Sequence, residues 1–412
     1  MRTGAGEDPS AHSSASGRRR PIAAIFQHFP PYPGAGSIRA EHFAAQIASR
    51  QVSSQDLVVL TTVVGQSSGE KGCDFRIVSI GGDPVDNRRS LVSRVAGELL
   101  LGFRAAWAMV RLRPRLVVIS SPGYLFAMSI AVAARWSRLP YVLDIRDIYP
   151  EAYSAAGLIS RESLAFRLLS ALSRSVYRHA QAIAAATEGL ADLIKVQAPA
   201  AEVHVVFNGY PAAMRQRTPV RKLARFTCSF HGVLGFYQDA GSLMALARAL
   251  EPHGVDVIVI GYGRGEEVFA ANPPSNLTVT GRLPFAETID LVARAHVGLC
   301  LRTDDPISRD ALPVKMFEYA ALGLPSIVTP PSEAGRFVER YRCGAVFEAG
   351  DIESMAAEVL RLRDDSGYRE GVVDACSNVG QEFTREFQAA RFADLVKASD
   401  PTGRAPVLSG LD

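Results

Sequence analysis

The sequence predicts an α/β protein built from two doubly wound, Rossmann-like domains that face each other across a cleft. Three observations carry this. Apolar runs of strand length alternate with helical stretches through most of the 412 residues, the pattern of βαβ units and parallel sheets. The alternation halts at the polar, basic stretch 215–225 and then restarts, so there are two such units. Finally, glycine-rich or charged loops follow several of the strands directly, where open α/β sheets place their functional groups.

Taken in order, residues 1–20 are rich in Gly, Ser, Ala and Arg, lack apolar periodicity and read as a disordered tail. Arg18-Arg19-Arg20 before apolar residues imitates a signal peptide, but Pro21–Phe29 is too short and is broken by Gln27 and His28. The first domain, 21–214, contains strands at 22–26, 57–62, 75–80, 116–120, 141–144, 182–186 and 203–207. Its helices fall at 38–50, 91–113, 124–139, 161–180 and 188–196. Residues 215–225 form a linker. The second domain, 226–385, places strands at 226–231, 255–260, 277–280, 297–301, 326–329 and 345–347, with helices between them. One of these helices is sharply punctuated: Pro313 fits its first turn, and Gly323-Leu324-Pro325 stops it. Residues 386–412 form a C-terminal helix returning toward the first domain, then a tail.

Composition narrows the function classes. A net charge of +3 is too small to argue for nucleic acid. Five scattered cysteines with no CxxC pair speak against a disulfide framework or zinc site and fit a reducing cytoplasm. No HExxH or close histidine pair suggests a metal. The apolar helix 124–139 falls short of the roughly 20 residues that span a bilayer. Two helices are amphipathic and basic, one with Arg94, Arg104, Arg111 and Arg113, the other with Arg161, Arg167, Arg174 and Arg178. They read as solvated faces of core helices or as a peripheral membrane contact. Only five of the 45 basic residues are lysine, which makes Lys315 a less routine choice.

Several motifs suit a ligand, and each has a structural alternative: a flexible loop at Gly34 and Gly36, a salt-bridged loop after Asp144, an ordinary surface pair at Lys315 and Glu318. Gly34 and Gly36, after the first strand, let the backbone approach a ligand at a helix N-terminus. Gly232 and Gly235 do the same after the first strand of the second half. Asp144-Ile145-Arg146-Asp147 with Glu151 leaves the end of a buried strand with more charge than a bare loop needs. Lys315 and Glu318 share one helical face beside a free N-terminus, where N–H groups, helix dipole and cation favour an anion. Gly261-Tyr262-Gly263-Arg264-Gly265 only superficially matches a dinucleotide fingerprint: the third glycine position is Glu266, and Thr280 stands where the ribose-reading acid belongs. It reads as a tight turn. Asp304-Asp305 lacks a third ligand and reads as a solvated loop.

With these pieces placed, residues 22–395 resemble the retaining, sugar-nucleotide-dependent glycosyltransferases of family 4, which have the GT-B fold, in the branch acting in bacterial surface-polysaccharide synthesis. The motifs are Val205-Val-Phe-Asn208-Gly209, Val279-Thr-Gly281-Arg282-Leu-Pro284, Leu312-Pro-Val-Lys315-Met-Phe-Glu318-Tyr-Ala-Ala-Leu-Gly323-Leu-Pro325 and Cys343–Asp351. The resemblance implies a donor clamp in which Glu318 holds the ribose hydroxyls. Eight positions earlier Asp310, shorter than the family's glutamate, faces the sugar. Pro313 replaces a glycine-containing turn whose N–H groups hold the diphosphate, so Lys315, with Arg146, supplies the charge. Arg282, Leu312 and the glycines Gly34, Gly36, Gly232 and Gly235 complete the donor site, and Asp147 positions or deprotonates the acceptor hydroxyl. The resemblance further implies a UDP-sugar co-substrate, no metal or other cofactor, and a carbohydrate, lipid-linked or small-molecule acceptor. Cysteine usage places the protein in the cytoplasm, and the two basic helices leave a peripheral contact with the inner membrane face open. The rival readings are a nucleotide-sugar 2-epimerase of the same fold and a non-catalytic, sugar-nucleotide-binding peripheral membrane protein.

Overall fold

A computed structural model describes residues 20–402 except 33, 52, 63–74, 83–90, 122, 156 and 218–219. Most of the tail expected over 1–20 and the end of the tail expected at 403–412 lie outside the described residues. The first domain holds strands β1 (Ile22–Phe26), β2 (Leu57–Thr61), β3 (Arg76–Ser79), β4 (Leu116–Ser120), β5 (Tyr141–Ile145), β6 (Ala182–Ala185) and β7 (Val203–Val205). They form one parallel sheet in the order β3-β2-β1-β4-β5-β6-β7. Its helices are α1 (Ala35–Ser49), α2 (Leu91–Leu112), α3 (Tyr124–Trp136), α4 (Glu151–Ala155), α5 (Leu164–His179) and α6 (Glu188–Gln197).

The second domain repeats the plan. Strands β8 (Thr227–Val233), β9 (Asp256–Tyr262), β10 (Leu277–Val279), β11 (Val297–Leu301), β12 (Ser326–Thr329) and β13 (Gly344–Val346) lie in the order β10-β9-β8-β11-β12-β13, all parallel. They are joined by α7 (Ala240–Leu250), α8 (Glu266–Ala270), α9 (Phe285–Arg294), α10 (Pro306–Asp310), α11 (Val314–Ala321) and α12 (Glu333–Tyr341). Helices α13 (Ile352–Asp364), α14 (Ser366–Cys376) and α15 (Arg385–Ser399) follow.

Five-residue strands such as LVVLT, LVVIS and YVLDI are buried on both faces, as a parallel sheet covered by helices requires. Alternate residues feed opposite layers. Ile25, Val58 and Ile119 pack under α2 and α3, whereas Ala24, Val59 and Val118 pack under α1 and α15. The chain crosses between domains twice at one point. Tyr210 N–H donates to Phe383 O (3.0 Å) and Arg385 N–H to Tyr210 O (2.8 Å). Gly209 (φ 66°) permits this, because a Cβ there would lie 2.5 Å from Phe383 O. Beyond the crossing α15 lies on the first domain, Phe392 stacking on Phe43 with centroids 3.9 Å apart.

Two local expectations change. The stretch 215–225 is pinned to the second domain: Arg215 donates to Val379 O (2.8 Å), and Lys222 Nζ to Ala293 O (3.0 Å) and Ala295 O (2.8 Å). Pro313 is the N-cap of α11 rather than part of its first turn, with ψ 145°, and the helix begins at Val314. Proline disfavours helical geometry in the residue before it, so the chain cannot run helically from Asp310 through Leu312. Asp310 therefore ends a separate helix, α10.

Candidate active site

In each sheet the strand order reverses beside its first strand, between β1 and β4 and between β8 and β11, where doubly wound folds open a crevice at the carboxyl ends of the strands. The two crevices face each other. Gly34, Ala35 and Ile38 from the first domain, and His231, Gly232, Arg282, Lys315 and Glu318 from the second, line one cavity of about 420 Å³. Arg385, at the start of the returning helix, closes it.

Glu318 is the anchor of this cavity. It is 4% exposed, and its Oε2 accepts from His231 Nε2 at 2.8 Å, its Oε1 from Arg385 Nη2 at 3.4 Å. Because a carboxylate only accepts, His231 carries its proton on Nε2. Burial pushes the Glu318 carboxyl up, but the His231 hydrogen bond together with Arg385 and Lys315 outweighs it and holds the group below the ordinary carboxylate range. Each oxygen keeps a lone pair for a further donor, the geometry a vicinal diol needs. His231 Nδ1 is buried without a partner among the described residues. Neither His231 nor Arg385 was singled out by the sequence. His231 is readable afterwards as a polar residue ending a buried strand beside a ligand glycine. Arg385 lies 67 residues from Glu318 with no motif around it.

Lys315 sits one turn earlier and is 7% exposed. Its Nζ lies 3.6 Å from the Phe230 ring centroid and donates to Gln238 Oε1 at 3.3 Å. Among the described residues no carboxylate forms an ion pair with it. Its pKa is lowered to about 8, chiefly by burial and in part by nearby Arg302, with Cys300 and Glu318 opposing. Arg302 is itself buried, with Nε unpartnered among the described residues and its guanidinium 5.9 Å from the Tyr237 ring centroid. The end of β11 thus brings a second cation beside Gln238. Two buried cations without an acid partner are costly unless an anion arrives.

A second cavity, of about 190 Å³, lies alongside and has the first domain on one wall and the second on the other. Arg146, Asp147 and Glu151 line it from one side, Ile307, Asp310 and Leu312 from the other. Asp310, Ala311 and Leu312 thus line this cavity, and Pro313, Val314, Lys315 and Glu318 the first. The structure does not bring Asp310 into the cavity of Glu318: its backbone O accepts from Thr187 Oγ1 (3.1 Å), and burial raises its carboxyl, with Arg336 pulling it down and Glu333 pushing it up. Asp147 opens onto the cleft, yet the protein closing round it raises its carboxyl, opposed by Arg146. The Arg146 guanidinium packs against Gly36, where a Cβ would be 2.3 Å from Nη1, so that glycine makes room for the cation. Gly34 (φ 124°) is the N-cap of α1 and lines the first cavity; Gly232 (φ 125°) lies above Lys315. Gly235 does not line either cavity and belongs to the turn in which Gln238 N–H donates to its carbonyl (3.2 Å).

Other charged motifs resolve as structure. Asp144 is 1% exposed and binds Arg39 at 2.8 Å and Ser120 Oγ at 2.7 Å; Arg39 in turn ties down Val206 O at 2.8 Å. Asp305 caps α10 through Ile307 and Ser308 N–H, and Asp304 pairs with Arg309. Among the described residues no three His, Cys, Asp or Glu side chains converge as metal ligands. In the Gly261–Gly265 turn, Cβ atoms at Gly261 and Gly263 would fall 2.3 Å from Gly232 O and 2.8 Å from Leu234 O. These glycines serve close packing of β8 against β9.

Fold and site together define a two-domain protein with a ligand crevice over two topological switch points. Residues 34–209 match the family model described as a glycosyl transferase 4-like domain, and residues 228–365 that described as glycosyl transferases group 1. Between them these stretches take in three quarters of the chain, which belongs to this glycosyltransferase family with the GT-B fold. Among solved structures it is similar to WaaG, a glycosyltransferase involved in lipopolysaccharide biosynthesis (15% identity, TM-score 0.65, covering 91% of this chain and 99% of that one). It is also similar to HepE of Anabaena in complex with UDP (16%, 0.66, 92% and 100%). A putative UDP-N-acetylglucosamine 2-epimerase from Listeria monocytogenes shares the fold at 11% identity (0.59, 92% and 96%). No curated protein sequence matches the chain. No described helix is long and apolar enough to cross a membrane.

Proposed function

We propose that the protein moves a sugar from a UDP-linked donor to an acceptor hydroxyl with retention of configuration. The observation that carries this is Glu318, buried between His231 and Arg385 and open to a diol, with the unpaired ammonium of Lys315 in the same cavity. Glu318 receives the ribose hydroxyls. Lys315 and the uncapped N-terminus of α11 meet the diphosphate, with the α1 N-terminus at Gly34 opposite. HepE, a structural neighbour, was crystallised with UDP and with UDP-glucose, which supports the choice of base.

The acceptor enters the second cavity, where Asp147 orients its hydroxyl. The bond from the anomeric carbon to the diphosphate breaks as the acceptor oxygen bonds to the same face of that carbon, and the hydroxyl proton passes to the departing diphosphate oxygen. Charge developing on the diphosphate is stabilised by Lys315 and Arg146, fixed before the reaction begins. No metal takes part in this step. A separate, half-apolar second cavity beside the donor cavity favours transfer over 2-epimerisation, which needs no acceptor.

The test is a screen of sugar nucleotides with a panel of carbohydrate and lipid-linked acceptors, reading nucleotide release and the anomeric configuration of the product by NMR. Acceptor-dependent release with retention supports the reading. Turnover of a sugar nucleotide without acceptor, yielding its 2-epimer, overturns it, as does donor binding without transfer to any acceptor.

A further inference from the structure

The crevice between β8 and β11 holds a charged side chain to which the donor clamp gives no task. Arg302 is the first residue beyond β11. Its backbone N–H donates to Thr329 O (3.0 Å), at the end of β12, and it bridges antiparallel to Gln238 from the turn after β8. The neighbouring strand ends therefore fix its backbone, and the residue is 7% exposed.

No neighbour answers its charge. Among the described residues no carboxylate forms an ion pair with Arg302, and its Nε is buried without a partner. Asp305 is taken up by α10: its Oδ1 accepts from Ile307 and Ser308 N–H (2.9 and 3.0 Å), its Oδ2 from Thr303 Oγ1 and Ser308 Oγ (2.7 Å each). Asp304 pairs with Arg309. Burial pushes the Cys300 thiol up, so it is neutral at pH 7. The Tyr237 ring, 5.9 Å from the guanidinium, stands at the limit of a cation–π contact. A guanidinium does not shed its proton to escape burial, so Arg302 stays a buried cation short of an anion.

The order of groups along the cleft says which anion. Glu318 lies one turn from Lys315, and Lys315 Nζ donates to Gln238 Oε1 (3.3 Å), the residue bridged to Arg302. Beyond Arg302 comes Tyr237. Burial raises the Tyr237 phenol above its ordinary range, Asp305 and Asp147 adding to the rise and Arg302 and Arg94 opposing it. Asp147 and Arg94 belong to the first domain, so Tyr237 stands toward the opposite wall. From the ribose end to the acceptor end the groups thus run Glu318, Lys315, Arg302, Tyr237, Asp147.

We infer that Arg302 is a further catalytic residue, its guanidinium binding the donor phosphate that is bonded to the sugar, with Lys315 on the ribose side of it. This assignment rests on the donor site proposed above. When the bond from the anomeric carbon to the phosphate oxygen breaks, its electron pair stays on that oxygen. The fork of Arg302 meets that charge until the acceptor proton arrives there. Because the guanidinium is held before the donor binds, little reorganisation accompanies the step.

Calorimetric titration of UMP and UDP into the full-length wild type, Arg302→Met and Arg302→Lys tests the assignment. The wild type is expected to bind UDP more tightly than UMP. Arg302→Met lowers UDP affinity tenfold to about a hundredfold, as loss of a charged hydrogen bond predicts, and leaves UMP affinity within about twofold. Arg302→Lys recovers part of the loss, and carries the test alone should the methionine variant not fold. With a sugar nucleotide and acceptor, Arg302→Met lowers kcat by a larger factor than it raises KM. Equal losses for UMP and UDP, or unchanged UDP affinity in Arg302→Met, overturn the assignment and leave the donor site standing. A wild type that binds neither nucleotide overturns the donor site and the assignment together. The UDP-specific loss without transfer to any acceptor overturns the transfer reading and supports Arg302 as the phosphate ligand.

Discussion

Replacing Lys315 by methionine is predicted to stabilise the unliganded protein while abolishing its response to nucleotide. Burial lowers the Lys315 pKa from 10.5 to about 8, so keeping the ammonium charged at neutral pH costs on the order of 3 kcal/mol relative to water. Methionine has a similar length and keeps a contact with the Phe230 ring, but loses the cation–π interaction and the Gln238 hydrogen bond, together about 1–2 kcal/mol. The net expectation is a gain of about 1–2 kcal/mol in urea unfolding without ligand, and loss of the UDP-induced shift. The pH dependence gives a second signature. The folded pKa is lowered, so between about pH 8 and 10.5 the unfolded chain binds more protons at this position, and its contribution makes stability rise with pH. That rise disappears in Lys315→Met. A variant less stable than wild type at pH 7, or one that keeps the UDP shift, would refute the claim that Lys315 is a strained cation held for an anion.

Three further outcomes are expected. Glu318→Gln keeps its shape but loses the charge facing His231 and Arg385, so UDP affinity by calorimetry falls tenfold to about a hundredfold, matching the loss of charged hydrogen bonds. Asp147→Asn lowers kcat roughly a hundredfold while donor affinity stays within about twofold, a split visible in steady-state kinetics against direct titration. Gly261→Ala sets a Cβ 2.3 Å from Gly232 O and destabilises the protein by about 1–3 kcal/mol in denaturant melts.

The two parallel sheets were legible because their strands are short, apolar and spaced by helices, a pattern that local sequence carries by itself. The helix bearing Lys315 and Glu318 was legible from Pro313 and Gly323-Leu324-Pro325. What surrounds that helix was not. His231, Arg302 and Arg385 reach the site from three other elements, and only the folded chain brings them together. The same holds in reverse for Asp144: its charge looked functional because its partner, Arg39, lies 105 residues away. Asp310 fell on the far side of a helix break that proline chemistry explains, since Leu312 must leave the helical region before Pro313.

The most direct measurement is calorimetric titration of UDP, GDP and ADP into the wild type and Glu318→Gln. A cavity built around a buried diol acceptor and an unpaired buried ammonium is expected to bind UDP at one saturable site, and to bind it at least tenfold more weakly in the variant. No binding of any nucleoside diphosphate to the wild type, or equal affinity in both proteins, would contradict the assignment of Glu318 and Lys315 to the donor.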